Sequence, residues 1–285
     1  HIDIDRAEID KNVLTHHHII GDARRVLELL NEKLPQHDYP EWKAWVFSHP
    51  EVPLKKDDVL HPHEILETIQ AVTGGDAIVA TDVGQHQMWA TQLIDFEKPH
   101  SWLSSGGLGT MGYGLPAAIG ARVGSERFHE GEKPVWLIDG DGSFQMTSEE
   151  LATAFHDHTP IKIALLNNSV YGMVRQWQTL FYGEHYSATN LMDGENTLEI
   201  VDVPDFVKLA EAYGCVGMRA FAEEEAIEAI KKANEINDRP VLIDFRVWKD
   251  AMVWPMVAAG DANDNVTYMP GIKPLQRPKA AADNE

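Results

Sequence analysis

Two short loops carry residue types suited to binding a hard cation. Gly140-Asp141-Gly142 and Asn167-Asn168 are 27 positions apart, counted from Asp141 to Asn168 (168 − 141). A carboxylate and a side-chain amide oxygen are ligands that Mg²⁺ prefers, and glycines let the backbone approach a ligand closely. Such a cation would stay positive enough to hold a diphosphate. Each loop alone could equally be a tight turn, but together they predict a metal and diphosphate site.

The segments around these loops are predicted to alternate between strand and helix. Residues 135–138, 161–166 (apart from Lys162) and 241–243 are apolar runs, which are typical of strands buried on both faces. We therefore predict an α/β fold, with a three-layer doubly wound sheet of mostly parallel strands. The predicted strands are 1–4, 77–81, 135–138, 161–166, 216–219 and 241–247. The predicted helices are 22–34, 63–72, 85–94, 115–123, 148–156, 173–181, 205–213 and 223–234.

The loops after residues 81, 138 and 166 are the expected ligand-binding loops, because ligands bind such sheets at the carboxyl ends of the strands. The first of them, residues 82–89, contains Gln85 and His86 as candidate polar contacts. The alternative is the start of a helix with both side chains exposed.

A glycine-rich segment, residues 104–120, contains a G-x-G-x-x-G pattern at Gly107, Gly109 and Gly112. The pattern suggests a dinucleotide site, but that interpretation is weak. Residues 102–105 are expected to form a poor strand, and no acidic residue marks the end of a following strand at the right distance.

A predicted helix follows the Asn pair and carries Met173 and Trp177 four positions apart. Residues at this spacing lie on one face of a helix. The pair could line a ligand site or simply pack in a core.

The Gly-Asp-Gly and Asn-Asn spacing resembles the diphosphate-binding motif of thiamine diphosphate enzymes. The resemblance implies that Asp141, Asn168 and the backbone carbonyl of Val170 bind Mg²⁺. The cofactor-binding residues that it implies in this part of the chain are Val83, Gly84, Gln85, His86, Gly109, Met111, Gly140, Asp141, Gly142, Ser143, Asn168, Val170, Gly172 and Met173.

Residues 104–120 resemble the large subunits of the acetohydroxyacid synthase (acetolactate synthase) family. In that family Met111 would be an apolar wedge that bends the cofactor between its two rings and keeps the site dry. Met173 would contact the cofactor and substrate, and Trp177 would line the substrate pocket and favour 2-ketobutyrate over pyruvate as second substrate. These enzymes decarboxylate pyruvate and join the product to a second 2-keto acid in the biosynthesis of valine, leucine and isoleucine.

The resemblance also predicts a domain organisation. Residues 1–34 resemble the end of the family's FAD-binding middle domain, in which Asp3, Ile4, Gly21 and Asp22 would approach the flavin. Residues 35–61 are interrupted by prolines and predict a linker, residues 62–260 the thiamine diphosphate domain, and residues 261–285 a C-terminal tail. Because the chain begins at His1 in mid-pattern, we expect a fragment that lacks the family's cofactor-activating glutamate and is inactive alone.

The charge balance restricts the partners of this chain. With 24 Lys and Arg against 45 Asp and Glu, the net charge is −21, which argues against nucleic acid or an anionic membrane as partner. No apolar run reaches the roughly 20 residues that span a bilayer, and a single cysteine, Cys215, suits a reducing cytoplasm. The resemblance implies 2-keto acid substrates and a homodimer or tetramer, and it allows for a small regulatory subunit.

Three alternatives remain open at this point. The first is another flavin-linked thiamine diphosphate enzyme, such as a pyruvate oxidase or a glyoxylate carboligase. The second is a binding module without catalytic activity. The third is a nicotinamide-binding domain.

Overall fold

The chain divides into two compact units, residues 1–51 with 275–285 and residues 52–274. This computed structural model describes residues 1–48, 54, 58–127, 133–192, 203–263 and 265–270. The division falls within the segment 35–61 that the sequence predicts as a linker, of which residues 49–53 and 55–57 lie outside the described residues. Residues 264 and 271–285 of the predicted tail lie outside them as well.

The first unit contains two short parallel strands, a 3-10 turn at Arg6–Glu8 and two α-helices. The strands and α-helices are β1 (Ile2–Asp3), β2 (Ile19–Ile20), α1 (Ala23–Lys33) and α2 (Pro40–Phe47). Asp22 caps α1, because its carboxylate accepts a hydrogen bond from the backbone N–H of Arg25 at 3.0 Å. The helix α2 lies inside the predicted linker. Pro40 stands at its first position, where the fixed φ of proline favours a helix start, so this proline begins an element instead of interrupting one.

The second unit is built on a six-stranded sheet in which all neighbouring strands are parallel. Its strands are β3 (Ile78–Thr81), β4 (Trp102–Ser104), β5 (Val135–Gly140), β6 (Lys162–Asn167), β7 (Val216–Ala220) and β8 (Val241–Arg246). They lie in the order β4-β3-β5-β6-β8-β7. The predicted α/β fold with a parallel sheet is confirmed.

The edge strand β4 corrects one prediction. The sequence indicates a poor strand at residues 102–105, yet Trp102, Leu103 and Ser104 pair in register with β3. Three residues are too few to display a periodic pattern. Ser104 also finds a partner that the sequence does not reveal, because its Oγ lies 2.8 Å from Oγ1 of Thr81. This tertiary contact and the pairing with β3 stabilise a strand of low intrinsic propensity.

Helices alternate with the strands of the second unit. They are α3 (Pro62–Thr73), α4 (Gln85–Leu93), α5 (Gly114–Arg127), α6 (Asp141–Phe144), α7 (Leu151–His156), α8 (Gly172–Phe181), α9 (Phe206–Ala212) and α10 (Glu223–Glu235). The predicted helix 148–156 is divided, since Ser148–Glu150 forms a 3-10 turn before α7. The four-residue α6 was not predicted. None of the helices in the described part of the chain is both long and apolar enough to cross a membrane.

The core consists of two apolar clusters, one on each face of the sheet. Along β5, Trp136 and Ile138 belong to the cluster that includes residues of α3, α4 and α10, whereas Val135 and Leu137 belong to the cluster with α5, α7 and α9. All four side chains are fully buried. Successive strand residues point to opposite faces, so a strand that is apolar throughout must be covered on both sides. This produces the three layers and leaves only the sheet's ends for polar loops.

Candidate functional site

A pocket lies where three neighbouring strands end. The register pairs Thr81 of β3 with Ile138 of β5, and Gly140 of β5 with Leu166 of β6, so the loops that follow these strands meet at one edge. The sequence-predicted residues that line this pocket are Val83, Gly84, Gln85, His86, Met111, Gly140, Asp141, Gly142, Ser143, Asn168, Val170, Gly172 and Met173. Trp89, Leu166, Tyr171 and Val174 line it too. The strand ends therefore bring together residues that are distant in the sequence.

Asp141 is a buried carboxylate with an oxygen left for a ligand. Its side chain is 2% exposed, and Oδ2 makes no hydrogen bond to any described residue. Burial raises the pKa of Asp141 to about 7, although the positive charge of Arg246 and the backbone N–H groups of Gly142 and Ser169 act in the opposite direction. A divalent cation at Oδ2 would remove this penalty by favouring the charged form.

The two asparagines of the Asn pair have different roles. Asn167 holds the loop, because its amide donates to Asp244 at 2.9 Å while its Oδ1 accepts from the backbone N–H of Ser169 at 3.2 Å. Asn168 instead lines the pocket, and its Oδ1 accepts from the backbone N–H of Val170 at 3.2 Å. This closes a turn in which Ser169 adopts φ +59°. An amide oxygen has a second lone pair, so Asn168 Oδ1 can also bind a cation.

The glycines of the pocket make room for close packing of neighbouring side chains. A Cβ at Gly140 would lie 2.7 Å from Nδ1 of His86, and one at Gly142 would lie 2.5 Å from Cε1 of Tyr171. A Cβ at Gly172 would collide with Oε1 of Gln85. No side chain fits at these three positions, so the backbone itself borders the pocket there. A carboxylate oxygen without a hydrogen-bond partner, an amide oxygen and glycine backbone at the pocket together fit a hard cation that carries a diphosphate.

The sequence analysis missed the role of Asp82, the residue that follows β3. Asp82 is fully buried, and its carboxylate accepts hydrogen bonds from the backbone N–H groups of Val83 (2.7 Å), Gly112 (2.9 and 3.0 Å) and Gly114 (2.7 Å). These bonds fix the glycine-rich segment beside Met111. The available signal was the position of a carboxylate directly after a buried strand.

Asp82, His86 and Asp139 form a second buried cluster, in which one possible ligand atom from each lies within 4.8 Å of the others. Burial lowers the pKa of His86 to about 3, so its ring is neutral. Burial, followed by the charge of Asp82, raises the pKa of Asp139 well above its ordinary value. Because the oxygens of Asp82 already accept backbone hydrogen bonds, we assign the cluster a role in positioning His86 and the glycine-rich segment.

The remaining predicted residues of the second unit lie at different distances from the pocket. Met111 lines it, and the following Gly112 adopts φ +94°. Gly109 is not among the lining residues, although a Cβ on it would lie 3.9 Å from Cγ1 of Val83. Met173 lines the pocket, whereas Trp177, one turn further along α8, does not and is 44% exposed. The two residues share a helix face without sharing the pocket.

The four residues predicted to approach a flavin belong to the first unit. The backbone N–H of Gly21 donates to the carbonyl of Asp3 at 2.9 Å, so Asp3, Ile4, Gly21 and Asp22 are close to the ends of the paired strands β1 and β2. The carboxylate of Asp3 accepts from the backbone of Asp5 at 2.8 Å, and Ile4 is 75% exposed. Their contact with a flavin stays a prediction.

The family to which this chain is similar agrees with the kind of site that the pocket geometry indicates. Residues 82–245 match the family model described as thiamine pyrophosphate enzyme, C-terminal TPP binding domain. The match includes every residue that lines the pocket. Thiamine pyrophosphate is another name for thiamine diphosphate.

Acetolactate synthases are among the curated relatives. The large subunit from Corynebacterium glutamicum is 50% identical over 286 residues, which cover 96% of this chain and 44% of the relative. The large subunit from Mycobacterium tuberculosis is 48% identical (96% of this chain, 45% of the relative). The mitochondrial catalytic subunit from Saccharomyces cerevisiae is 40% identical (97% and 39%). The predicted resemblance is confirmed, and the chain spans less than half the length of these relatives. The chain belongs to the family of thiamine pyrophosphate enzymes and carries the family's C-terminal TPP-binding domain.

Proposed function

We propose that this protein is the catalytic subunit of an acetolactate synthase, with pyruvate as first substrate and pyruvate or 2-ketobutyrate as second. It would act as a transferase in branched-chain amino acid biosynthesis. The observation that carries the proposal is the pocket, which combines Asp141 and Asn168 with Met111 and Met173. In addition, the chain is 50% identical to an acetolactate synthase large subunit.

Three ligands in the pocket are proposed to hold Mg²⁺. They are the carboxylate of Asp141, the amide oxygen of Asn168 and the backbone carbonyl of Val170. The unpartnered Oδ2 of Asp141 and the turn that aims Asn168 support this assignment. The metal would neutralise the diphosphate in a chain whose net charge is −21, and the backbone of Gly140, Gly142 and Ser143 would lie against it.

The apolar wall of the pocket is proposed to keep water from the reacting atoms. Bound thiamine diphosphate supplies a thiazolium carbon that can lose its proton and an electron sink for decarboxylation. Met111 would support the bent cofactor from below, and its position is held by Asp82 through the neighbouring Gly112. Trp89 and Leu166 are buried apolar residues that line the pocket and would exclude water beside it. Met173 would contact substrate, and Trp177 would influence the choice of the second 2-keto acid.

Further partners are proposed from the family. FAD would contact Asp3, Ile4, Gly21 and Asp22, and the active enzyme would be a cytoplasmic homodimer or tetramer, with a small regulatory subunit as a further partner. No glutamate among the described residues lines the pocket, which supports the inference that a partner supplies the cofactor-activating acid. We expect residues 1–285 alone to form no acetolactate.

The test is an assay of the protein at its natural length with pyruvate, thiamine diphosphate and Mg²⁺. Acetolactate formation would support the proposal, whereas hydrogen peroxide would indicate a pyruvate oxidase, and tartronate semialdehyde from glyoxylate would indicate a carboligase of that type. Calorimetric titration with thiamine diphosphate, with and without Mg²⁺, tests the alternative that the protein is a binding module without catalytic activity. Binding without any turnover would favour that module.

The proposed role of Trp177 has its own test. In a mixture of pyruvate and 2-ketobutyrate, Trp177→Leu should lower the ratio of acetohydroxybutyrate to acetolactate without weakening thiamine diphosphate binding. Val174→Leu, on the same helix and at a residue that lines the pocket, provides a comparison. An unchanged product ratio in Trp177→Leu would contradict a role of Trp177 in the choice of the second substrate.

A further inference from the structure

Gln176 is buried, and both the oxygen and the nitrogen of its side-chain amide form hydrogen bonds. It lies on α8 beside Trp177 and is 4% exposed. Its Oε1 accepts hydrogen bonds from Nε2 of Gln85 at 2.8 Å and from the backbone N–H of Val253 at 2.9 Å. Its Nε2 donates to the backbone carbonyl of Val253 at 3.1 Å and to Sδ of Met256 at 3.3 Å. Gln176 thus joins α8 to α4 and to the chain that follows β8.

Backbone groups fix the direction in which this amide points. A side-chain amide can rotate by 180° and exchange its oxygen and nitrogen, but a backbone N–H always donates and a carbonyl always accepts. Val253 presents both groups to Gln176. Rotation of the Gln176 amide would place two donors together and two acceptors together, so only the observed orientation satisfies the buried groups.

The same constraint passes from Gln176 to Gln85. Nε2 of Gln85 donates to Oε1 of Gln176 and to the backbone carbonyl of Ala251 at 3.0 Å, so both donors of this amide are engaged by the protein. Oε1 of Gln85 must then face the other way, where Nδ2 of Asn168 lies 3.5 Å away. Gln85 therefore offers the pocket an acceptor, and it cannot donate a side-chain hydrogen bond to a diphosphate.

We propose that Gln176 is a positioning residue for the metal site and acts through Gln85 to orient the amide of Asn168. Oε1 of Gln85 attracts the nitrogen of Asn168, which turns the oxygen of Asn168 toward the metal position. The backbone N–H of Val170 holds that oxygen from the other side. Residues 251–253, far from Asn168 in the sequence, thereby become part of the support of the metal site. This inference rests on the proposed function, because it requires Asn168 to bind the metal.

Substitution of Gln176 in the protein at its natural length tests the proposal. Gln176→Leu removes the acceptor for Gln85 and should weaken Mg²⁺ binding about tenfold, measured by calorimetry with saturating thiamine diphosphate, as expected for the loss of one or two hydrogen bonds. Gln176→Glu keeps an acceptor oxygen for Gln85 and for the N–H of Val253, and its buried, protonated carboxyl group can donate to the carbonyl of Val253 in place of the amide nitrogen, so it should restore most of the affinity. Hydrogen exchange at the Val253 amide should be faster in the Leu variant and slow in the Glu variant.

Gln70 provides the matched control. Its Oε1 accepts from the backbone N–H of Asp95 at 3.0 Å and its Nε2 donates to the Asp95 carboxylate at 3.3 Å, so it also joins a helix to another segment through both ends, but away from the pocket. Gln70→Leu should leave Mg²⁺ affinity unchanged.

The outcomes separate this inference from the proposed function. Wild-type protein that binds no Mg²⁺ with thiamine diphosphate would overturn both. Normal binding by the wild type with unchanged affinity in Gln176→Leu would overturn the inference alone. Equal losses in Gln176→Leu and Gln176→Glu, or in Gln176→Leu and Gln70→Leu, would also overturn it, because the effect would then not depend on the acceptor at position 176.

Discussion

Two acidic regions next to the sheet differ in how their charges are balanced. At the end of β5, Asp139 and Asp141 each keep an oxygen that makes no hydrogen bond to any described residue. Across β7 and β8, Arg219 donates to Asp244 at 2.9 Å and also to Asp205, and Asp244 accepts from Asn167 at 2.9 Å. The first region therefore keeps two carboxylate oxygens without a hydrogen-bond partner among the described residues, whereas the second is a connected ion-pair network.

The pKa values follow this difference. Burial raises the pKa of Asp141 to about 7. Burial acts in the same direction on Asp205, but the hydrogen bond and charge of Arg219, with help from Lys208, outweigh it and hold the pKa of Asp205 below its ordinary value. An unpaired buried charge reduces stability unless a ligand compensates for it. The comparison indicates that the β5 region is arranged for a cation and the β7–β8 region for the fold.

The largest expected effect is on the ion-pair network. Asp244→Ala would leave Arg219 without its buried partner and Asn167 without its acceptor, so we expect the free energy of unfolding to fall by about 3–5 kcal/mol. Urea unfolding followed by circular dichroism measures this loss. Asp238→Ala, which removes an exposed partner of Arg239, should cause no measurable change. A loss below 1 kcal/mol in Asp244→Ala would contradict the comparison.

The second prediction concerns the metal region, where a substitution should reduce Mg²⁺ binding without reducing stability. Asp141→Asn keeps an oxygen but removes the charge, so Mg²⁺ affinity in the presence of thiamine diphosphate should fall about a hundredfold, or about 2.7 kcal/mol. The melting temperature of the metal-free protein should stay the same or rise, because the substitution removes a carboxylate whose charged form burial disfavours. Calorimetric titration and thermal melting test the two parts. A melting temperature lowered as much as in Asp244→Ala would make Asp141 a fold residue.

The third and smallest prediction uses a buried cation with neutral partners. Lys162 at the start of β6 is 1% exposed and donates to the carbonyl of Pro160 at 3.3 Å and to Asn237 at 2.9 Å. Burial, followed by the charge of Arg122, lowers its pKa to about 8 from 10.5. Between these two values the unfolded chain binds more protons at this site, so stability should rise with pH by at most about 1.4 kcal/mol per unit.

Lys162→Met should remove this part of the pH dependence. Urea unfolding at pH 8, 9 and 10 compares the variant with the wild type, and the difference between the two curves isolates Lys162 from other titrating groups. Parallel curves would mean that Lys162 has the same pKa in the folded and unfolded chain. The paired Arg219 should contribute no comparable slope, because its neighbouring carboxylates outweigh burial and raise its pKa.

The sequence was sufficient to predict those features that depend on a local pattern or on a pattern repeated along one helix or strand. The apolar runs of β5, β6 and β8 required a sheet covered on both faces, and that sheet places the loops containing Asp141 and Asn168 side by side. The family resemblance added Met111, Val83 and the residues of the loop after β3, which line the same pocket. Their proposed roles in binding and catalysis stay predictions.

Contacts between distant segments were decided only by the tertiary structure. Trp102–Ser104 becomes a strand because β3 provides its hydrogen-bond partners, and Asp82 acquires its role because Gly112 and Gly114 return to it about thirty residues later along the chain. Gln176 is directed by Val253, which is 77 positions away. The type and spacing of residues determine which chemistry is available, because these are properties of the chain. The orientation of each amide and the pairing of each carboxylate depend on which groups the fold brings within hydrogen-bond distance, and that is a property of the tertiary structure alone.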